Sequence, residues 1–393
     1  MRLRIVIAPD SFKGSLTAVE AAEAIARGVL SAMPDARPSI VPIADGGEGT
    51  VDAIVAGAGG RRITRRVSDP LGRPVDADFA VLADGRTAVV EAAAACGLEL
   101  MAAEERDPLR ATTYGVGELM LAALESGCSR IILGVGGSGT NDGGSGMLRA
   151  LGAGFLDADG CDLPDGPAGL ARLDHIDLSG WKWPRPGPEV ILAADVRNPL
   201  CGPHGASMVY GPQKFPSREH ARPDLLAELD RSLEVLAQAS ADVLGFDASG
   251  WEGAGAAGGL GFAAMAFLGA SMRPGAELVL EMVGFEQRLG EADLVITGEG
   301  RIDEQTLYGK AVKRVCEAAA RHGVPAAAVA GEVAADDELL QRIGLAAWTS
   351  IARGPTSLRQ MQEEAAQLVE RASADLIRWI MLGTAFGGRH RTA

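Results

Sequence analysis

The sequence predicts an α/β protein with two domains, one of them discontinuous. Apolar runs of strand length alternate with helical segments at both ends, strands without helices follow Arg61, and several glycine-rich polar loops come directly after apolar runs. We expect a discontinuous Rossmann-like domain with a doubly wound parallel sheet at 1–60 and 285–393, and an inserted mixed α/β domain at 61–284. Since such sheets bind ligands at the carboxyl ends of their strands, the active site is expected in the interdomain cleft.

The composition restricts the class of partner. The chain has 393 residues, 47% of them hydrophobic, and a net charge of −15, which argues against nucleic-acid or anionic-membrane binding but not against a small anionic substrate. The apolar run at 5–8 ends at Pro9 and is too short for a secretory signal, and the five cysteines form no CxxC pair, so we expect a cytoplasmic protein with reduced thiols. The uncharged stretch 253–272 is rich in glycine and alanine, which predicts a buried loop and helix rather than a membrane span.

The first sixty residues alternate between strand and helix. Thr17 and Glu20 have the spacing of a capping box ahead of a helical pattern. The predicted elements are strands at 5–8 and 39–43 and helices at 18–33 and 51–58.

The middle of the chain predicts a mixed sheet, and the last hundred residues return to strictly alternating elements. In the middle we expect strands at 61–67, 75–82, 87–92, 131–133 and 189–194, with helices at 115–125 and 223–243. Beyond it we expect strands at 294–297, 326–330 and 346–351, a loop at 298–303, and helices at 311–321, 336–343 and 357–381.

Seven of the thirteen residues from Gly134 to Gly146 are glycine. The stretch follows an apolar strand and precedes a helical run, a setting in which backbone N–H groups gather at a positive helix end and bind anions. We therefore predict a phosphate-binding loop. Its ligand-binding residues are expected to be Gly136, Gly137, Ser138, Thr140, Asn141, Asp142 and Gly143.

Two other interpretations of this loop stay open. Residues 134–139 satisfy GxGxxG, and Asp157 follows about twenty residues later, as in an NAD-dependent hydroxy-acid dehydrogenase. However, the glycines continue to Gly146, so the helix begins late for a dinucleotide turn. A purely structural turn with left-handed glycines is the second alternative. A P-loop is excluded at Gly309–Lys310, because Glu304 stands in place of its first glycine.

Other loops carry the residue types that phosphoryl transfer needs. Glu299 and Asp303 supply oxygen ligands for Mg²⁺, and Arg301 between them can face phosphate oxygens. Asp195 follows an apolar strand and is a candidate general base. Lys13 and Lys214 can each neutralise a carboxylate or a phosphate. The alternatives are a salt-bridged surface turn, a capping aspartate and solvated lysines.

Together these stretches resemble the bacterial glycerate kinase family, class I. The resemblance lies in Ile7–Leu16, Ala44–Thr50, Gly136–Gly144, Tyr210–Lys214, Gly255–Gly259 and Thr297–Asp303. It implies a two-domain kinase that transfers the γ-phosphoryl group of ATP to D-glycerate and requires Mg²⁺. The 2-phospho product is favoured, and the 3-phospho product stays open. Gly139 departs from the family, which usually has alanine there.

The resemblance also implies roles for residues. Phosphates would be bound by the glycine loop with Gly298 and Gly300, and Mg²⁺ by Glu299 and Asp303. Asp195, Lys13 and Asp45 would be catalytic, with Asp195 as the base and Asp45 and Asp10 as rivals for that role. Glycerate would contact Asp10, Ser11, Lys13, Gly46, Gly47, Glu48, Asn198, Lys214 and Arg301. A non-catalytic sugar-acid binding protein is the other alternative, and the oligomeric state is open, a homodimer included.

Overall fold

The computed structural model describes residues 2–307, 311–352 and 354–389, so Gly309 and Lys310 lie outside the described residues. The strands are β1 (Arg4–Pro9), β2 (Arg37–Ile40), β3 (Gly60–Ser68), β4 (Pro74–Leu82), β5 (Thr87–Glu91), β6 (Arg130–Gly134), β7 (Gly154–Leu156), β8 (His175–Asp177), β9 (Glu189–Ala193), β10 (Ser271–Arg273), β11 (Leu294–Ile302), β12 (Ala326–Val333) and β13 (Ala347–Ser350). The helices are α1 (Ala18–Ala32), α2 (Thr50–Ala58), α3 (Ala93–Cys96), α4 (Tyr114–Glu125), α5 (Ser145–Ala150), α6 (Pro167–Leu170), α7 (Ala206–Tyr210), α8 (Pro223–Leu244), α9 (Leu260–Leu268), α10 (Gly275–Met282), α11 (Phe285–Leu289), α12 (Glu304–Leu307), α13 (Ala311–Arg321), α14 (Asp337–Ile343), α15 (Leu358–Glu363) and α16 (Ala365–Arg389).

The chain forms two compact units. The terminal unit comprises Met1–Asp45, Asp52–Gly59 and Ala276–Ala393, and the central unit comprises Gly46–Val51 and Gly60–Gly275. Each unit has its own β-sheet with helices packed on it, which confirms the predicted α/β class.

The terminal unit contains a parallel sheet in the order β13-β12-β11-β1-β2. The chain runs outward from β1 to β2 on one side, and from β11 through β12 to β13 on the other. The strand order therefore reverses between β1 and β11. In open sheets of this kind, the crevice at the carboxyl ends of the two strands at the reversal is the expected ligand site.

Both faces of this sheet are covered. Ile5 and Ile7 in β1 belong to the apolar cluster formed with α1 and α16, while Val6 between them points to the opposite face and is also buried. The predicted capping box begins α1, with Thr17 N–H donating to Glu20 Oε2 at 2.9 Å and Glu20 N–H donating to Thr17 Oγ1 at 3.2 Å. Burial on both faces explains why the strands are continuously apolar rather than alternating.

Two expectations for the terminal unit are wrong in detail. The predicted loop at 298–303 is mostly strand, because β11 continues to Ile302 and stays paired with β12. The predicted helix at 357–381 is divided at Glu364 into α15 and α16. A Cβ on Gly298 would lie 2.0 Å from the carbonyl oxygen of Val329, so glycine is required there by close strand packing.

The central unit contains the predicted mixed sheet, in the order β10-β9-β6-β5-β4-β3. β3, β4 and β5 pair antiparallel, and β5, β6, β9 and β10 pair parallel. The glycine-rich loop leaves the carboxyl end of β6. The stretch 253–272 forms a turn and the short buried helix α9, and no helix in the described ranges is long and apolar enough to cross a membrane.

Candidate functional site

The carboxyl edge of the terminal sheet contains a cavity of about 640 Å³. It lies at the ends of β1, β11, β12 and β13, where the reversal of strand order predicts a ligand site. Eight residues proposed from the sequence line it: Asp10, Ser11, Lys13, Asp45, Glu299, Gly300, Arg301 and Asp303. Residues as far apart in the sequence as Asp10 and Asp303 are thus brought to one site by parallel pairing of β1 with β11.

Asp10 is the most strongly perturbed acid in the cavity. Burial raises the pKa of its carboxyl group to about 7, the nearby Asp45 and Glu299 charges add to the rise, and the N–H of Ser11 and the charge of Lys13 oppose it. The N–H of Ser11 donates to Asp10 Oδ1 at 2.6 Å. A carboxylate with a pKa near neutrality is suited to accept a proton from a substrate hydroxyl.

Lys13 is held at the tip of a short, internally bonded loop. Phe12 is buried, its N–H donates to the carbonyl of Leu16 at 2.9 Å, and Ser15 Oγ donates to the carbonyl of Phe12 at 2.8 Å. Lys13 itself is exposed to solvent and lines the cavity. The loop therefore presents a cation beside the Asp10 carboxylate, which suits an anionic substrate.

Glu299 is 8% exposed, and its Oε1 accepts a hydrogen bond from Thr306 Oγ1 at 2.8 Å. Asp303 has other partners: its Oδ1 accepts from the N–H of Gln305 at 2.9 Å and its Oδ2 pairs with Arg301 Nε at 3.3 Å. Arg301 also pairs with Glu332 at 3.0 Å. Both predicted metal ligands line the cavity, and Asp303 also caps the following turn.

The carboxylates in this cavity fit a magnesium ion whose coordination sphere is completed by substrate oxygens and water. Among the described residues, no group of three or more His, Cys, Asp or Glu is arranged to hold a metal ion. Mg²⁺ in phosphoryl-transfer sites is usually bound by one or two carboxylates, with waters and substrate phosphates as the other ligands. Glu299 and Asp303, which both line the cavity, can supply those one or two carboxylates.

The glycine-rich loop of the central unit is organised around its own anion, the carboxylate of Asp142. Its Oδ2 accepts from the N–H and Oγ1 of Thr113 at 2.8 Å each and from the N–H of Gly146 at 3.1 Å, while Oδ1 accepts from the N–H of Gly144 at 3.1 Å. Thr140, Asn141 and Asp142 are completely buried. Asp142 therefore occupies N–H groups at the helix start where the sequence predicts a phosphate.

The first glycines of the loop make close backbone contacts. A Cβ on Gly134 would lie 2.6 Å from the carbonyl oxygen of Gly46, and a Cβ on Gly136 would lie 2.5 Å from the Cα of Gly47. The N–H of Gly136 also donates to the carbonyl of Gly46 at 3.4 Å. Tight packing of the two predicted glycine loops explains the GxG spacing without a dinucleotide.

Lys214 is only 1% exposed, and its Nζ donates to the carbonyl of Thr140. Burial lowers its pKa to about 8, while Cys96 and Asp142 oppose that fall. The buried ammonium group therefore stabilises the glycine loop through its bond to Thr140. The expected contact of Lys214 with glycerate would require this buried ammonium group to become accessible.

Asp195 and Asn198 follow β9 in the central unit. Asp195 is exposed, and its Oδ1 accepts from the N–H of Gly275 at 3.2 Å. Asn198 closes a turn, with its Nδ2 donating to the carbonyl of His204 at 2.8 Å and its Oδ1 accepting from the hydroxyl of Tyr210 at 2.8 Å. The Asn198 amide is thus used to shape the loop that carries Asp195.

A second cavity, of about 320 Å³, lies in the central unit. It includes the predicted residues Glu48 and Gly137 together with Glu91 and Glu99, which sequence reasoning missed. Burial raises the pKa of Glu91, whose Oε1 accepts from the N–H of Val51 at 2.5 Å. Since no lysine or arginine is among its described lining residues, this cavity is acidic.

One wall of the larger cavity is formed by residues that the sequence did not single out. Ser350 ends β13, Ile351 follows it directly, and Leu358, Met361 and Gln362 belong to α15. In the sequence these residues read as ordinary strand and helix positions. The available signal was positional, because β13 lies in the same parallel sheet as β1 and β11 and its carboxyl end meets the same edge.

The chain is similar to known proteins over nearly its whole length. The glycerate kinase family model matches residues 5–381. The chain is 46% identical to a glycerate kinase of Bacillus subtilis (strain 168), over 97% of this chain and 98% of that protein. It is 44% identical to a glycerate 2-kinase of Escherichia coli (strain K12), over 97% and 99%. A crystal structure of a glycerate kinase 2 candidate from Salmonella typhimurium LT2 superposes with a TM-score of 0.85 at 42% identity, over 98% of this chain and 100% of that chain.

Proposed function

Because this chain belongs to the glycerate kinase family, we propose that it transfers the γ-phosphoryl group of ATP to D-glycerate, giving 2-phosphoglycerate. The observation that carries this proposal is the gathering of Asp10, Lys13, Asp45 and Glu299 around one cavity. A base, a cation and acidic metal ligands are the groups that phosphoryl transfer to a hydroxyl requires. Transfer to the 3-hydroxyl is the alternative regiochemistry.

Asp10 is our choice for the general base. It lines the cavity with a pKa of about 7, whereas Asp195 is an exposed residue of the central unit. In the reaction, the glycerate hydroxyl oxygen bonds to the γ-phosphorus as the bond to the bridging oxygen of ADP breaks, and the hydroxyl proton passes to Asp10. Lys13 pairs with the glycerate carboxylate, and Ser11 and Asp45 lie on the same side of the cavity.

In this proposal Glu299 would hold Mg²⁺, and Asp303, the other ligand predicted from the sequence, would be its second protein ligand. When bound, the ion neutralises charge on the transferred phosphoryl group. Glu299 is positioned for this by Thr306, which donates to one of its carboxylate oxygens. Arg301 faces phosphate oxygens from the same strand. Gly298 and Gly300 serve to bring β11 close to its neighbours and so set the position of Glu299.

The residues of the central unit keep narrower roles. Phosphate contacts of Gly137 and Ser138, at the start of the loop, stay predictions, whereas the N–H of Gly136 already donates to the carbonyl of Gly46. Further contacts with glycerate stay predictions, at Gly46, Gly47, Glu48, Asn198 and Lys214. A catalytic role for Asp195 and an active site in a cleft between domains stay predictions too. The same holds for a homodimer and a cytoplasmic location.

The decisive experiment measures ADP release from MgATP with and without D-glycerate, followed by phosphorus NMR of the product. We expect release that depends on D-glycerate and a phosphorus signal coupled to the C2 proton. Coupling to the C3 protons would assign the 3-phospho product. Binding of glycerate without turnover would support the binding-protein alternative, and a change in nicotinamide absorbance with NAD would support the dehydrogenase.

A further inference from the structure

The larger cavity exceeds what glycerate needs. Its volume of about 640 Å³ lies in the range of sites that hold drug-sized ligands. A three-carbon acid bound at Asp10 and Lys13 fills a small part of it. The remaining space extends along the ends of β12 and β13 toward α15, within the terminal unit.

This remaining space has a different chemistry from the Asp10 end. Ile351, Leu358 and Met361 supply an apolar wall. The amide of Gln362, at the end of α15, lies next to Gly14 in the Lys13 loop instead. Leu358 is 71% exposed, whereas Met361 of the same helix is partly buried against the core of the terminal unit. Apolar walls with one or two polar groups are typical of sites for flat heterocycles.

We propose that this apolar wall binds the adenine base of ATP. The inference rests on the proposed kinase function, and it places the adenine base in the terminal unit, with the phosphates extending from it toward Glu299 and Arg301. The strand order β13-β12-β11-β1 gives the order base, phosphates, acceptor hydroxyl along the sheet edge. The N–H groups of Ile351 and Ala352 donate to Ala330 and Ser350 within the protein, so the base is held mainly by apolar contacts.

The second cavity is a poorer nucleotide site. Its volume is half as large, at about 320 Å³, and three glutamates line it. A triphosphate there would meet carboxylates with no lysine or arginine among the described lining residues. The glycine loop offers few N–H groups, because Asp142 accepts those of Gly144 and Gly146.

The test uses Leu358→Glu in the full chain, with Leu382→Glu as the matched control. Leu382 is a leucine of α16 that is 57% exposed and is not among the residues lining the cavity. Since Leu358 is already exposed, its replacement should leave the melting temperature unchanged. We expect the KM for ATP to rise at least about tenfold, which corresponds to about 1.4 kcal/mol, with the KM for D-glycerate unchanged. Leu382→Glu should resemble the wild type.

Calorimetry separates base contacts from phosphate contacts. Leu358→Glu should weaken binding of ADP but leave binding of magnesium pyrophosphate unchanged. A rise in the KM for D-glycerate alone would instead assign the apolar wall to the acceptor, and unchanged constants for both substrates would also overturn the proposal. Absence of kinase turnover in the wild type would refute the proposed function, whereas the ADP measurement would still decide the adenine site.

Discussion

The carboxylate of Asp142 accepts two hydrogen bonds from Thr113, one from the N–H and one from Oγ1, each 2.8 Å long. The same carboxylate accepts from the N–H groups of Gly144 and Gly146, so it occupies the anion position at the start of α5. A loop that reads as a phosphate cradle thus carries its own internal carboxylate. Its stability should depend on that group.

Replacing Asp142 by alanine should destabilise the central unit severely. Four buried donors would lose their acceptor, and each unpaired buried donor costs about 1–3 kcal/mol. Asp142→Asn keeps one acceptor oxygen, so we expect melting temperatures in the order wild type, Asn, Ala. Asp157→Asn, at an aspartate that caps a surface turn, is the control and should change little. Equal melting temperatures for all four proteins would contradict the structural role of Asp142.

Two glycine substitutions in the loop, at Gly136 and Gly139, should differ in effect. Gly136→Ala would place a methyl group 2.5 Å from the Cα of Gly47, a backbone atom that cannot move aside easily. Gly139→Ala would meet the terminal methyl of Met101 at 2.6 Å, which can rotate away. We expect Gly136→Ala to cost about 1–3 kcal/mol of unfolding free energy and Gly139→Ala much less, measured by denaturant titration. The opposite ranking would show that the two loops are not packed as described.

Asp10→Asn should lower kcat by about 10²-fold or more, the usual contribution of a general base. The same change should raise stability. Because the folded-state pKa of about 7 lies above the ordinary value of 3.8, the Asp10 charge removes stability as the pH rises from about 4 to about 7. A higher melting temperature at pH 8 with little activity is therefore expected. Asp195→Asn is the comparison, and if it alone abolishes turnover, Asp195 is the base.

The pH dependence of kcat/KM should show an acidic limb near pH 7. Asp10 accepts a proton only when it is deprotonated, so activity falls as the pH decreases through its pKa of about 7. Asp45→Asn removes a charge that raises this pKa, and we expect the limb to move to lower pH. A limb that keeps its position in Asp45→Asn would mean that another group titrates.

Because of Lys214, the free energy of unfolding of the wild type should increase as the pH rises above about 8. Burial lowers its pKa from 10.5 to about 8, so above pH 8 the unfolded chain binds the proton more tightly than the folded protein. Stability contributed by this group therefore increases as the pH rises from about 8 toward 10.5. Urea unfolding at about pH 7.5 and 9 should show the wild type gaining relative to Lys214→Met. A parallel response of the two proteins would place the titration elsewhere.

Much of the terminal site could be predicted from the sequence. Polar residues that follow buried parallel strands must meet at one sheet edge, so Asp10 and Glu299 could be assigned to one site without coordinates. The cavity wall from α15 could not be predicted, because Leu358 and Met361 have the spacing of any amphipathic helix. Only their packing over the sheet edge distinguishes them.

The sequence by itself determined the class of fold, the element order, the loops that carry polar groups and the family, because hydrophobic periodicity, glycine position and motif order are properties of the chain. The tertiary structure decided what each polar group faces. Gly136 meets the backbone of Gly47, Asp142 binds its own loop, Lys214 is buried beneath Thr140, and Asp10 gains a raised pKa. Those properties depend on desolvation and on neighbours brought together from distant segments, and local sequence does not encode either.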